Sequence, residues 1–93
     1  MNQEINNLRK EIDETNQKIL KLVNQRQNLS KKVGEIKKQN NLQIVDIKRE
    51  SEVYDNIKKQ AKQLNLDENF VVELFKLIIK NSKEIQWNQN QKN

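Results

Sequence analysis

The sequence predicts an all-α fold, and three observations carry that prediction. The 93 residues hold no Pro and a single Gly, Gly34, so helices can run long without a breaker and the tight turns of a sheet have few candidates. Apolar residues recur at steps of three and four along the chain. Asp46 and Asp67 each stand just before such a stripe begins, where a short carboxylate side chain caps a helix.

Stepping from Ile5 gives Ile5, Leu8, Ile12, Thr15, Ile19, Leu22, Arg26, Leu29, Val33 and Ile36, ten positions of which eight are apolar. That stripe predicts a helix from about residue 4 to about residue 39, about 50 Å or more at the helical rise. No 93-residue globule is that wide, so the stripe is expected to meet a helix of another chain. From Gln39 to Val45 the period is lost. A second helix then starts at Asp46, with Glu50 adding negative charge to its first turn and Val53, Tyr54, Ile57, Ala61 and Leu64 forming its apolar face. Asn65 and Leu66 make a short connection. Asp67 caps a third helix carrying Phe70, Val71, Leu74, Phe75, Ile78, Ile79 and Ile85 on one broad face. The tail from Trp87 to Asn93 is mostly Asn and Gln and is expected to fray. Residues 1–93 make one domain, and a domain of this size hides only roughly 60–65% of the surface its unfolded chain exposes.

Composition removes whole classes of chemistry. Cys and His are both absent, which excludes disulfides, thiolate nucleophiles, Ser/His relays and the usual zinc ligand sets. No cofactor or metal is expected, and chemistry falls to Lys, Arg, carboxylates and amides. Lys and Arg outnumber Asp and Glu 18 to 13, a +5 balance that attracts nucleic acid, a membrane surface or a small acidic metabolite alike. No apolar run approaches the roughly 18–20 residues of a membrane span, and the first seven residues are mostly polar and include an acid, so a cytoplasmic protein is expected.

Each helix interrupts its apolar face with polar groups. Arg26 occupies a core position of the first stripe, where a guanidinium is costly unless an anion meets it. Lys37 lies eleven residues on, returning to within roughly 20° of the same side and about 16 Å further along the axis. Arg49 and Glu50 precede Val53 by four and three residues, toward the buried face of the second helix. Ser82 and Gln86 extend the stripe of Phe75, Ile78 and Ile79 on the third. Singly, each has a plainer explanation: a register device for Arg26, a solvated cation for Lys37, a helix cap for Asp46, a tolerated small residue for Ser82, a helix end for Gln86. Gly34 marks a close helix contact. Together, cations, a carboxylate and an amide on all three helices make the inventory of a site for a small acid.

The segments Leu8-Arg9-Lys10-Glu11-Ile12-Asp13, Asn24-Gln25-Arg26, Val33-Gly34-Glu35-Ile36-Lys37, Val45-Asp46-Ile47-Lys48-Arg49-Glu50 and Leu74 to Ile79, leading to Ser82 and Gln86, resemble the ordered signature of the bacterial all-α (AroQ-type) chorismate mutases. The likeness runs from about residue 5 to residue 86. It implies an intertwined homodimer of three-helix protomers whose long first helices span both subunits, and conversion of chorismate to prephenate on the route to phenylalanine and tyrosine. In that frame Arg26 and the partner subunit's Arg9 grip the substrate carboxylates, and Arg49 and Ser82 support them. The Asp46 backbone and the Glu50 side chain hold the ring hydroxyl, and Lys37 and Gln86 face the ether oxygen. Arg9 is seventeen residues from Arg26, about 25 Å along one straight helix, so it reaches the same metabolite only from the other chain of an antiparallel pair. Without the resemblance it reads as an exposed charge beside Leu8. One departure is the loop, where relatives often carry Pro near Ile44.

Two other functions stay open at this level. An isochorismate-pyruvate lyase shares the helical scaffold and binds a similar dianion. A non-catalytic basic dimer on nucleic acid is less well supplied, because Tyr54, Phe70, Phe75 and Trp87 are few and fall mostly on apolar faces, and the cations form no phosphate-tracking stripe.

Overall fold

The computed structural model describes residues 2–91, which form three helices and no strand: α1 (Gln3–Gln39), α2 (Ile47–Gln63) and α3 (Glu68–Gln91). The ends of these helices follow from local chemistry. The Asn2 side chain caps α1, accepting from Glu4 and Ile5 backbone N–H groups. Asp46 caps α2 through a 3.0 Å bond from Arg49 N–H, and Asp67 caps α3 through bonds of 2.8 and 3.2 Å from Asn69 and Phe70 N–H.

Both interior carboxyl ends use the same device. Asn41 and Asn65 adopt left-handed φ of 55° and 56°, and the next residues, Leu42 and Leu66, donate back to Lys37 and Ala61 carbonyls at 2.8 and 2.9 Å. Asn41 and Asn65 themselves donate to Lys38 and Lys62, completing two Schellman caps. Asn takes the place usually given to Gly because its short amide side chain tolerates that conformation.

α3 is the central element. It packs against α1 on one side and α2 on the other, while α1 and α2 do not pack directly against each other. The core between α2 and α3 is small: Ile57, Ala61 and Val71 are buried, with Val53, Tyr54 and Phe75 partly buried around them. Leu64 and Phe70, expected on buried faces, are exposed: Leu64 is the C-cap residue of α2 and Phe70 lies in the first turn of α3. The tail differs from expectation more clearly. α3 continues through Trp87 to Gln91 rather than fraying after Gln86, since no Gly or Pro stops it and Trp87 faces Leu42 and Val45 of the α1–α2 loop across a shallow hollow. Lys92 and Asn93, the rest of that tail, lie outside the described residues.

The chain measures 58 × 29 × 15 Å over its described residues, and its length is that of α1. Every residue from Asn2 to Gln25 is exposed, including the apolar stripe members Leu8, Ile12, Ile19 and Leu22, which are each more than half exposed. No helix among the described residues is long and apolar enough to cross a membrane.

Candidate active site

The polar exceptions on the three helices converge where the carboxyl-terminal half of α1, the start of α2 and the second half of α3 meet. Arg26, half-buried on α1, donates through Nη1 to the Ser82 hydroxyl on α3. Buried Ser30, one turn further along α1, reaches the same hydroxyl oxygen at 3.1 Å. With both lone pairs of Ser82 engaged, its own O–H is left to donate into the space beside it. Burial first, and then the nearby Arg49 charge, push the Arg26 guanidinium below its ordinary value, although a guanidinium remains cationic throughout the physiological range. Among the described residues Arg26 and Lys37 make no ion pair.

Lys37 is fixed by two bonds. Its Nζ donates to the Ile44 carbonyl at 2.7 Å and to Gln86 Oε1 at 2.8 Å. An ammonium carries three N–H groups, so one remains free, and Gln86, having accepted through oxygen, keeps its NH₂ to donate. The bond to Ile44 also ties the α1–α2 loop to α1 two residues ahead of Asp46.

The approach of Lys37 to Gln86 depends on Gly34. A Cβ on Gly34 would lie 3.0 Å from the Gln86 Cα and 3.3 Å from its Cβ and Cγ, closer than packed carbons settle. Gly34→Ala is therefore expected to push α3 outward by a few tenths of an ångström, costing about 1–3 kcal/mol in thermal unfolding experiments and weakening the Lys37–Gln86 contact.

On α2, Asp46, Arg49 and Glu50 all border the same space. Arg49 leans toward solvent, 3.5 Å from Glu52. Glu50 points inward and pairs with Lys83 of α3 at 2.9 Å. The half-open cavity has a volume of about 370 Å³, within the range of small-molecule sites. Its walls carry Arg26, Lys37, Arg49 and Lys83 against Asp46 and Glu50, an excess of positive charge, over an apolar floor of Leu29, Val33, Val53 and Ile79.

Seven of the eight residues singled out from sequence thus line one cavity: Arg26, Lys37, Asp46, Arg49, Glu50, Ser82 and Gln86. Arg9 does not; it lies on the exposed amino-terminal stretch of α1. Comparison with known proteins matches residues 8–87 to the family described as chorismate mutase type II. The chain belongs to that family. It is 44% identical over 79 residues to a chorismate mutase of Methanocaldococcus jannaschii, covering 85% of this chain and 80% of that protein. It is also 42% identical over 62 residues to a bifunctional chorismate mutase/prephenate dehydratase of Aquifex aeolicus and 38% identical over 74 residues to one of Buchnera aphidicola from Acyrthosiphon pisum. Those alignments take in 67% and 80% of this chain but only 17% and 19% of the bifunctional proteins.

Two members of the cavity wall escape the sequence reading. Ser30 follows Arg26 by four residues and precedes Val33 by three, and Lys83 follows Ile79 by four and precedes Gln86 by three, so helical spacing alone places both on the faces concerned. Lys is abundant elsewhere in the sequence and Ser30 is a small residue that a helix tolerates anywhere, so both draw attention only once a neighbour is known.

Proposed function

We propose that the chain converts chorismate to prephenate in the cavity between α1, α2 and α3, with Arg26, Arg49 and Ser82 binding carboxylate, Asp46 and Glu50 the ring hydroxyl, and Lys37 and Gln86 the ether oxygen. The observation that carries this reading is the Lys37–Gln86 pair, which leaves one ammonium N–H and one amide NH₂ together on the wall of a positively charged cavity.

The chemistry asks for no more than that. The rearrangement breaks the ether C–O bond and forms a C–C bond within one molecule, so no nucleophile, metal or obligatory proton transfer enters. Contacts to several walls of the cavity hold the substrate in its compact reactive shape. As the C–O bond lengthens, negative charge builds on the oxygen, and fixed donors lower the barrier most where that charge appears. Lys37 is held at Nζ by two protein acceptors before substrate arrives, so little reorganisation is left to the reaction itself. Arg26, short of a carboxylate partner and beside Arg49, gains one when a substrate carboxylate enters.

The same reading includes a homodimer. The exposed stripe of α1 supports it, as does the span of a helix whose residues from Gln3 to Gln25 are all exposed, and an antiparallel partner would bring its Arg9 to the cavity.

The assay is loss of chorismate absorbance with prephenate identified as product, followed across pH. Gln86 is an amide and does not titrate, so kcat should change by less than about threefold between pH 6 and pH 8. A collapse of activity over that interval would remove Gln86 from the ether-oxygen role.

A further inference from the structure

We propose that Lys83 is a positioning residue for substrate recognition: its ammonium holds one oxygen of the Glu50 carboxylate so that the other faces the substrate's ring hydroxyl. This rests on the reading of the cavity as the chorismate site.

Three observations support it. First, the Lys83–Glu50 contact at 2.9 Å is the sole ion pair between helices among the described residues, the other two being local i,i+3 pairs within α2 and α3. Second, α1 and α2 do not pack against each other, so the first turn of α2 is located only through α3 and the loop. Lys37 ties the loop at Ile44, and Lys83 ties the helix turn itself at Glu50. Third, the Glu50 side chain is 28% exposed, against 50% for Glu52 and 70% for Glu73 in the local pairs, so its orientation is set by protein more than by water.

Electrostatics gives the pair a purpose. A carboxylate on the wall of a site for a dianion repels the ligand unless a cation stands against it. Lys83 supplies that cation from the cavity's own lining while leaving Glu50 a free oxygen to accept from a hydroxyl. The ring hydroxyl takes no part in bond breaking, so a contact to it serves ground state and transition state alike. Loss of such a contact raises KM and spares kcat.

The test is steady-state kinetics on chorismate for the parent, Lys83→Met, Lys83→Arg, Glu50→Gln and the double variant Lys83→Met/Glu50→Gln, each checked by thermal unfolding. Lys83→Met is expected to raise KM about tenfold with kcat within about threefold of the parent, and Lys83→Arg to recover most of the loss. In the Glu50→Gln background the Lys83→Met change should shrink to about twofold or less, because the two residues act as a unit. A parent-like KM in Lys83→Met overturns the proposal, and so does an equal rise in both backgrounds, which would mean that Lys83 acts without Glu50. A fall in kcat and thermal midpoint that Arg does not rescue overturns it too, as a purely structural effect. A parent without turnover removes the chorismate reading itself, whereas an active parent with an indifferent Lys83→Met removes only this inference.

Discussion

Replacing Lys37 with Ala is expected to lower kcat by about two orders of magnitude, the usual consequence of removing one fixed donor from a developing oxyanion, on the order of 3 kcal/mol of transition-state stabilisation. Lys37 sits where three demands meet: it donates to Ile44 and to Gln86, and it keeps an N–H for the cavity. The substitution removes all three, so its effect on folding must be separated from its effect on chemistry. Leaving the Gln86 oxygen and the Ile44 carbonyl without their donor should cost about 1–3 kcal/mol of stability, visible as a lower thermal midpoint. The kinetic loss should persist at temperatures where the variant is fully folded. Lys37→Arg keeps the charge but not the compact ammonium, and a planar guanidinium cannot place its donors on both acceptors and the cavity together. It is expected to restore stability more than turnover. A Lys37→Ala variant that is folded and retains more than about a third of parental kcat would place the ether-oxygen donor elsewhere.

The second large effect concerns Arg9 and Arg26. In an antiparallel dimer each site takes Arg26 from one chain and Arg9 from the other, so Arg9→Ala and Arg26→Ala should each abolish most activity when purified alone. Mixing the two variants under conditions that allow subunits to exchange gives a different result. Half of the dimers become mixed, and each mixed dimer has one site with both arginines and one with neither, so about a quarter of parental activity should return. Two deficient homodimers that stay deficient after verified exchange would show that Arg9 serves no shared site. Recovery without exchange would be equally damaging, since every site of an unexchanged variant homodimer still lacks one of the two arginines. The expectation follows from distance: Arg9 and Arg26 are separated by seventeen residues of unbroken helix, about 25 Å, and Arg9 does not line the cavity that Arg26 borders.

How much of this was legible in the sequence depends on how local the governing physics is. The ends of α1, the capping roles of Asp46 and Asp67, and the turn at Asn65 follow from interactions within four residues, and all are found where the sequence places them. The convergence of Arg26, Lys37, Arg49, Glu50, Ser82 and Gln86 on one cavity was legible for a different reason, while the place of Asp46 beside them came only from the family resemblance. Polar groups interrupt three apolar faces, and apolar faces must meet. The close approach at Gly34 was equally readable, because a lone Gly within a helix otherwise weakens it without return.

What the sequence withholds is set by how the helices lie against one another. Leu64 and Phe70 keep the apolar period yet stay exposed, one as the cap of α2 and the other in the first turn of α3. Trp87 looked like the start of a frayed tail, but its fate depends on the α1–α2 loop coming within reach. Lys83 and Ser30 carry ordinary side chains whose partners stand 33 and 52 residues away, and spacing within one helix cannot name a partner on another. Arg49 illustrates the same limit in reverse, since it borders the cavity as expected yet turns its guanidinium toward Glu52. A carboxylate entering the cavity offers a better partner than that exposed contact, whose energy is at most about 1 kcal/mol.

Side-by-side turnover of chorismate and isochorismate by the purified chain decides what the cavity is for. Prephenate formed rapidly from chorismate, with little or no pyruvate released from isochorismate, is the predicted result. Pyruvate release as the faster reaction, or a folded protein that turns over neither compound, would contradict it.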